Sequence, residues 1–217
     1  MSLNKRKLII FGAWYFSDVI EELALLLGWN VLGRIDPDPP SHQKTLQSVS
    51  DDAFCFVSIG DNEQRRLVSE KLLAHGRELA HLIHPTASVS PSVNIGSGVY
   101  IGENVSVRTG CHIGKGVMIN ANAVVSHHVS VGDYVTFGPN SAVASKSRVG
   151  TGSLIGVGAS VKPNSTIGEN CTVGAGSVVT QSVSDGVTVV GVPAKPMTTG
   201  EGSDAAAMSN WHDHTIW

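Results

Sequence analysis

Between Ile83 and Val179 the chain carries an aliphatic residue at every sixth position, from Ile83, Val89 and Ile95 through Val131 and Val143 to Val173 and Val179, with Phe137 the one non-aliphatic member. The following residue is often glycine (Gly96, Gly114, Gly132, Gly150, Gly168), and the residue two places before is small (Ala87, Cys111, Ala123, Ser141, Ser153, Ala159, Cys171, Ser177). A period of six fits neither an amphipathic helix nor an alternating strand. It fits a parallel β-helix whose triangular coil takes three hexapeptides. Short sandwich strands would instead need uneven spacings and turn-rich loops.

In such a coil each aliphatic points inward and stacks on its equivalent one coil away, roughly 4.8 Å along the axis. Small residues are needed where the narrow interior turns a corner, and Gly or Asn supplies the backbone freedom there.

Before the repeat, the pattern changes. Lys7 to Phe11 reads as a strand ending at Gly12, followed by a helix on which Val19, Leu23, Leu26 and Leu27 recur at helical spacing. Asn30 to Ile35 reads as a second strand, and Ala53 to Ile59 as a third after a polar loop over 37–52. Glu63 to His75 reads as a helix, with Glu78 to Ile83 a last short strand into the solenoid. This predicts an α/β domain with a small Rossmann-like parallel sheet over 1–82, a β-helix over 83–197 and a tail over 198–217. Open parallel sheets bind ligands at the carboxyl ends of their strands. The turn after the first strand lacks G-x-G-x-x-G, however, and close approach to a pyrophosphate needs those glycines. The pattern therefore argues for a mononucleotide-sized pocket lined by Gly12, Ala13, Asp36, Gly60, Asn62 and Arg65, or for a domain that merely caps the open end of the solenoid.

Length and charge agree. The 217 residues allow one or two domains, and a formal net charge of -3 provides no global field to draw nucleic acid or an anionic membrane. The apolar run around Leu23 to Leu32 is too short for a membrane span of about 20 residues. The N-terminus shows no signal-peptide pattern, so cytoplasm is the default. Cys111 and Cys171 occupy small inward positions on different faces, too far apart to bridge. With Cys55 they read as reduced core thiols.

The chain resembles the bacterial nucleotide-sugar acetyltransferases of the hexapeptide-repeat superfamily, a group that includes sialic-acid O-acetyltransferases and UDP-4-amino-sugar N-acetyltransferases. The resemblance rests on Gly12 after the first strand, Ser58-Ile59-Gly60-Asp61-Asn62 with Arg65, and Ile83-His84-Pro85-Thr86-Ala87. Further on it rests on Ile119-Asn120, the His127 segment, Val173 to Val179, and Gly191-Val192-Pro193-Ala194-Lys195. It implies a left-handed coil, a homotrimer, and acetyl-CoA held in the groove between neighbouring solenoids. It also implies that Asn120 contacts substrate.

Within that resemblance His127 is the expected general base. It stands two places after the inward Val125, on an outward position beside a corner, and Ser145 follows one coil later. A base above a backbone N–H suits acyl transfer, one taking the proton of the attacking amine and the other holding the developing oxyanion. Histidine titrates near neutrality, which fits the role. The chain departs from the family at three places: His128 stands where an acidic residue follows the base, Thr136 where a second histidine falls, and Trp14-Tyr15-Phe16 where a Gly-Gly-His-like run lies near the sugar-phosphate site. His128 and Ser145 join His127 in the expected catalytic set. For the donor, Gly156, Gly158, Ala159, Gly174 and Ala175 offer backbone access to a pantetheine arm, and Lys195 could meet the anionic end of CoA.

No metal is expected. A zinc site of the kind some β-helices build would need histidine spacings absent among His84, His112, His127 and His128, and His212 with His214 in the tail is too small a set. Adjacent His127 and His128 are expected to point to different sides of a strand. The tail begins like a linker, with Trp211, Ile216 and Trp217 expected to pack on a neighbour or on the last coil. Taken together, the sequence predicts an acetyl-CoA-dependent N-acetyltransferase acting on the amine of a nucleotide-linked sugar, in particular a 4-amino-4,6-dideoxyhexose of a surface glycan. Sugar O-acetylation is the first alternative, and a non-catalytic trimeric scaffold is another.

Overall fold

The structure, a computed structural model, describes residues 6–12, 15–36 and 52–197. The expectations for Ala13, for Trp14, for residues 37–51 and for the tail lie outside the described residues. In the N-terminal domain β1 (Lys7–Phe11), α1 (Phe16–Leu26), β2 (Asn30–Ile35), β3 (Phe54–Val57) and α2 (Asn62–Ala74) follow in order. The three strands form a parallel sheet ordered β2-β1-β3, and Leu79 adds a parallel bridge to Cys55 at its edge. Asp61 caps α2, its Oδ1 accepting from the Gln64 N–H at 2.8 Å, one of the free donors of a first helical turn.

On α1 the buried face is Ser17, Ile20, Leu23 and Ala24. Of the expected stripe only Leu23 is inside, while Val19, Leu26 and Leu27 are exposed. Ile20, Leu23 and Ala24, at the i, i+3, i+4 spacing of one helix face, pack in one cluster with Leu8, Ile10 and Phe56 of the sheet.

From Leu82 onward the chain makes two-residue strands joined by two-residue turns, winding a β-solenoid of hexapeptide repeats that matches a left-handed β-helix. As far as Val189, strands pair in parallel with those one coil away, as Met118-Ile119 does with Tyr100-Ile101 and Thr136-Phe137. Three flat sheets result. We call them the first face (through Met118-Ile119), the second face (through Val124-Val125) and the third face (through Ser130-Val131). The inward residues form one continuous core, in which Ile101, Ile113, Ile119, Val125 and Phe137 are fully buried.

From residue 98 to residue 176 each corner holds one residue with positive φ. Fourteen such positions run at steps of six from residue 98 to residue 176, and eleven hold Gly or Asn. The exceptions are His128, Tyr134 and Lys146, at φ 57°, 56° and 60°. Left-handed backbone is costly for side chains other than Gly, Asn and Asp.

The N-terminal domain lies along the first face. Outward Tyr100 and Met118 are buried against Leu8, Ile10, Ile20, Leu23 and Phe56, and Phe16 meets the Tyr100 ring edge-on at 5.3 Å. The inward residues of the first coil, Ile83, Val89 and Ile95, remain only half-buried, whereas Ile101, Val107 and Ile113 beneath them are fully covered. The domain therefore flanks the solenoid and does not close its end. Leu82-Ile83 is itself the first solenoid strand, pairing with Tyr100-Ile101.

Candidate active site

Two polar groups expected at the sugar-nucleotide pocket prove to be the joint between the domains. Arg65 is 1% exposed. Its Nε donates to Gly116 O at 2.9 Å, Nη1 to Ile59 O and Gly60 O at 2.8 and 3.0 Å, and Nη2 to Asn62 Oδ1, Tyr134 O and Thr136 Oγ1 at 2.7, 3.0 and 2.9 Å. Asn62 is engaged likewise: Oδ1 also accepts from Thr136 Oγ1 at 2.6 Å, and Nδ2 donates to Gly152 O and Ser153 O. Burial pulls the Arg65 guanidinium down to about 10, against the opposing fields of Asp61 and Tyr134, so it stays charged at neutral pH. The expectation that Arg65 and Asn62 line a ligand pocket is replaced: their polar atoms close a buried network to three coils of the solenoid, because orphaned carbonyls at a dry seam would be costly. Thr136, at the family's second-histidine position, belongs to the same network.

Gly12 and Gly60 remain beside the carboxyl ends of β1 and β3, and exposed Asp36 follows β2. Gly12 is required there. At φ +148° a Cβ would stand 2.5 Å from Ser58 O, and its N–H ties β1 to Ile35 O at 2.8 Å. Beneath it Ser17 Oγ donates to Ser58 Oγ at 3.2 Å.

His127 and His128 form the exposed turn between the second and third faces. They are turn residues, so the strand alternation expected for them does not apply, and their rings meet edge-on at 5.4 Å. The rungs hold them in column. His128 N–H donates to Thr109 O at 2.9 Å, Lys146 N–H to His127 O at 3.1 Å, and Asn164 N–H to Ser145 O at 3.0 Å. Ser145 thus lies directly one coil beyond His127, and among the described residues no carbonyl accepts its N–H. The Ser145 hydroxyl shares a 2.8 Å hydrogen bond with Ser126 Oγ. The His128 ring folds back over Gly110, where any Cβ would collide with it. Only glycine leaves room for that ring.

The residues expected to bind the donor divide. Gly158 and Ala175 are exposed on the turns between the first and second faces. Ala159 is 0% exposed and belongs to the core, so it cannot line a groove. Gly156 and Gly174 are packed against the next coil, where a Cβ would come within 2.7 Å of Ala175 N and 2.8 Å of Val190 Cγ1 respectively. The small-residue rule of the corner accounts for these three. Lys195 is exposed on an antiparallel strand that pairs with Val190 at the far end. Asn120 is half-buried at a corner, its Nδ2 donating to Phe137 O at 2.7 Å, which fixes the orientation of its amide. Gly158 and Ala175 therefore stand on a different edge of the prism from His127.

Cys55, Cys111 and Cys171 are buried free thiols. Among the described residues no group of three or more His, Cys, Asp or Glu side chains could hold a metal ion, and no helix is long and apolar enough to cross a membrane.

The solenoid of hexapeptide repeats behind an N-terminal α/β domain is the architecture of hexapeptide-repeat acyltransferases. Family models agree along the chain: the PglD N-terminal domain matches residues 7–72, the hexapeptide repeat of succinyl-transferase 92–127, and the bacterial transferase hexapeptide (six repeats) 110–145 and 146–181. PerB from Caulobacter crescentus, solved with CoA and GDP-perosamine, is similar at 35% identity over 91% of this chain and 100% of that one, with a TM-score of 0.84. The acetyltransferase domain of PglB from Neisseria gonorrhoeae FA1090, solved with acetyl coenzyme A, is similar at 33% identity over 89% of this chain and 100% of that one, with a TM-score of 0.83. GDP-perosamine N-acetyltransferase of Escherichia coli O157:H7 is 39% identical over 59 residues, a match spanning 27% of this chain and 27% of that protein's length. The chain belongs to the nucleotide-sugar acetyltransferases of the hexapeptide-repeat superfamily.

Proposed function

We propose that this protein transfers the acetyl group of acetyl-CoA to the amino group of a nucleotide-linked sugar, a 4-amino-4,6-dideoxyhexose of the perosamine type, for a surface glycan. The observation that carries this reading is the His127 turn set one coil above the free Ser145 N–H, on a chain similar over 91% of its length to an enzyme solved with CoA and GDP-perosamine. His127 accepts the proton of the amine as the nitrogen bonds to the thioester carbonyl carbon. The Ser145 amide donates to the carbonyl oxygen while it carries negative charge. Collapse breaks the carbon–sulfur bond, and CoA leaves as the thiol with an amide as the other product.

The donor lies between neighbouring copies of a homotrimer. His127 stands on one edge of the prism and Gly158 with Ala175 on another, so a single ligand reaches both sets only when two prisms stand side by side. Gly12, Gly60 and Asp36 at the sheet's carboxyl edge hold the nucleotide part of the acceptor.

The test is thiol release from acetyl-CoA across UDP-, dTDP- and GDP-linked 4-amino sugars, with mass analysis of the product. Acceptor-dependent thiol and a base-stable amide are expected from one of them. A base-labile ester would transfer the assignment to O-acetylation, and release from none would remove it.

A further inference from the structure

Charge on the solenoid is segregated in a way that the net value hides. Around the His127 edge stand Arg108, Lys146, Arg148 and Lys162, with His112 and His128, all exposed. The acids of the described solenoid, Glu103, Asp133, Glu169 and Asp185, all fall on the other two edges. Among the described residues none of these four cations forms an ion pair, whereas Lys115, on another edge, lies within 4.0 Å of both Glu70 and Asp133. Unpaired like charges repel one another, and nothing in the fold compensates for gathering them here.

A second, independent sign coincides with this stripe. Two of the three positive-φ positions that hold neither Gly nor Asn are His128 and Lys146, consecutive coils of this edge. The third, Tyr134, has an evident reason, its backbone carbonyl accepting from Arg65 at the domain joint and its buried side chain lying over Gly116. Lys146 has none: its side chain is exposed and touches no acid. Strained backbone retained without a structural reason points to use.

We infer that Lys146, with Lys162 and Arg148 beside it, is a specificity-determining residue that binds the phosphate groups of a ligand whose reacting end lies at His127. The inference rests on the acyl-transfer reading for where the ligand reacts, but phosphate recognition stands on charge and backbone alone. An ammonium one coil from the base is within reach of a phosphorylated tail running along the edge, and charge-assisted hydrogen bonds to phosphate are the strong kind. The phosphates could be those of CoA or the diphosphate of the acceptor.

Calorimetric titration of the full chain with CoA, dephospho-CoA, UDP and GDP tests this without needing turnover. Lys146→Asn puts in the residue that the next coil of this edge, at Asn164, carries at that backbone position, so the fold is kept and the thermal midpoint should rise by about 2 °C. We expect the variant to lose affinity about tenfold, and Lys146→Arg to recover most of it. A loss for CoA, larger than for dephospho-CoA, assigns the site to the donor. A loss confined to UDP or GDP assigns it to the acceptor and equally supports the inference. Unchanged affinities for every probe overturn it, as does an equal loss in Lys146→Arg. Wild-type protein that binds UDP or GDP through Lys146 but no CoA would leave phosphate recognition standing and remove the acetyl-transfer reading.

Discussion

Two polar clusters of this molecule use similar side chains to opposite ends. At the domain joint buried Arg65 and Thr136 and half-buried Asn62 satisfy one another, each guanidinium nitrogen finding an acceptor. At the His127 edge both histidines and Lys146 are exposed, and among the described residues no carbonyl accepts the Ser145 N–H. Polar groups that a fold has satisfied hold it together, and those it leaves open are available to a ligand. Residue type does not separate the two cases, since a charged arginine is the group closed inside the joint.

That contrast can be broken from its buried side. Arg65→Met would strand the carbonyls of Gly116 and Tyr134 in a dry seam, and should cost about 3 to 5 kcal/mol. Urea unfolding followed by Phe16 and Trp29 environment would report it, with the solenoid retaining its β-signal after the N-terminal domain has melted. A stability unchanged by this substitution would mean the joint is wet.

A pH profile sharpens the same side. Burial pushes the Cys55 thiol up to about 11 from its ordinary 9, partly opposed by Arg77. A group whose folded value is raised contributes stability that is complete below its unfolded value and lost as pH rises through its folded one. Stability should therefore fall between pH 9 and 11 by on the order of 2 kcal/mol. Cys55→Ala should flatten that segment of the urea midpoint against pH.

Smaller effects come from the exposed side. Gly110→Ala would evict the His128 ring and impose a methyl on left-handed backbone, at about 1 to 2 kcal/mol in thermal unfolding, with a change in turnover if His128 helps to set the His127 ring. Arg66→Ala, which removes surface ion pairs with Glu63 and Glu70, should leave the midpoint within error, because solvent screens such pairs.

The solenoid was legible because one period dictates both side-chain direction and register, and no insertion disturbs it. Helix α2 was legible as a helix, but its partner was not. Arg65 shares its buried face with Ser69 and Leu72, and a charge on that i, i+4, i+7 stripe was the available sign that it faces protein and not ligand. Ala159 shows how one rule can outrank another. Its place two residues before Val161 marks it as an inward corner residue, and that outweighs the appeal of a small side chain beside a groove. The positive-φ register was equally present in the sequence, and its three departures from Gly and Asn pick out the joint and the His127 edge. Closure of the joint itself depends on which flank of the solenoid receives the N-terminal domain, and no local pattern encodes that.

The most direct test of the account is paired measurement on His127→Ala: kcat/KM for acetyl transfer and the urea midpoint, on the same preparation. We expect turnover to fall about a hundredfold or more while the midpoint stays within about 0.5 kcal/mol of wild type. Retained turnover, or a loss that tracks unfolding, would contradict it.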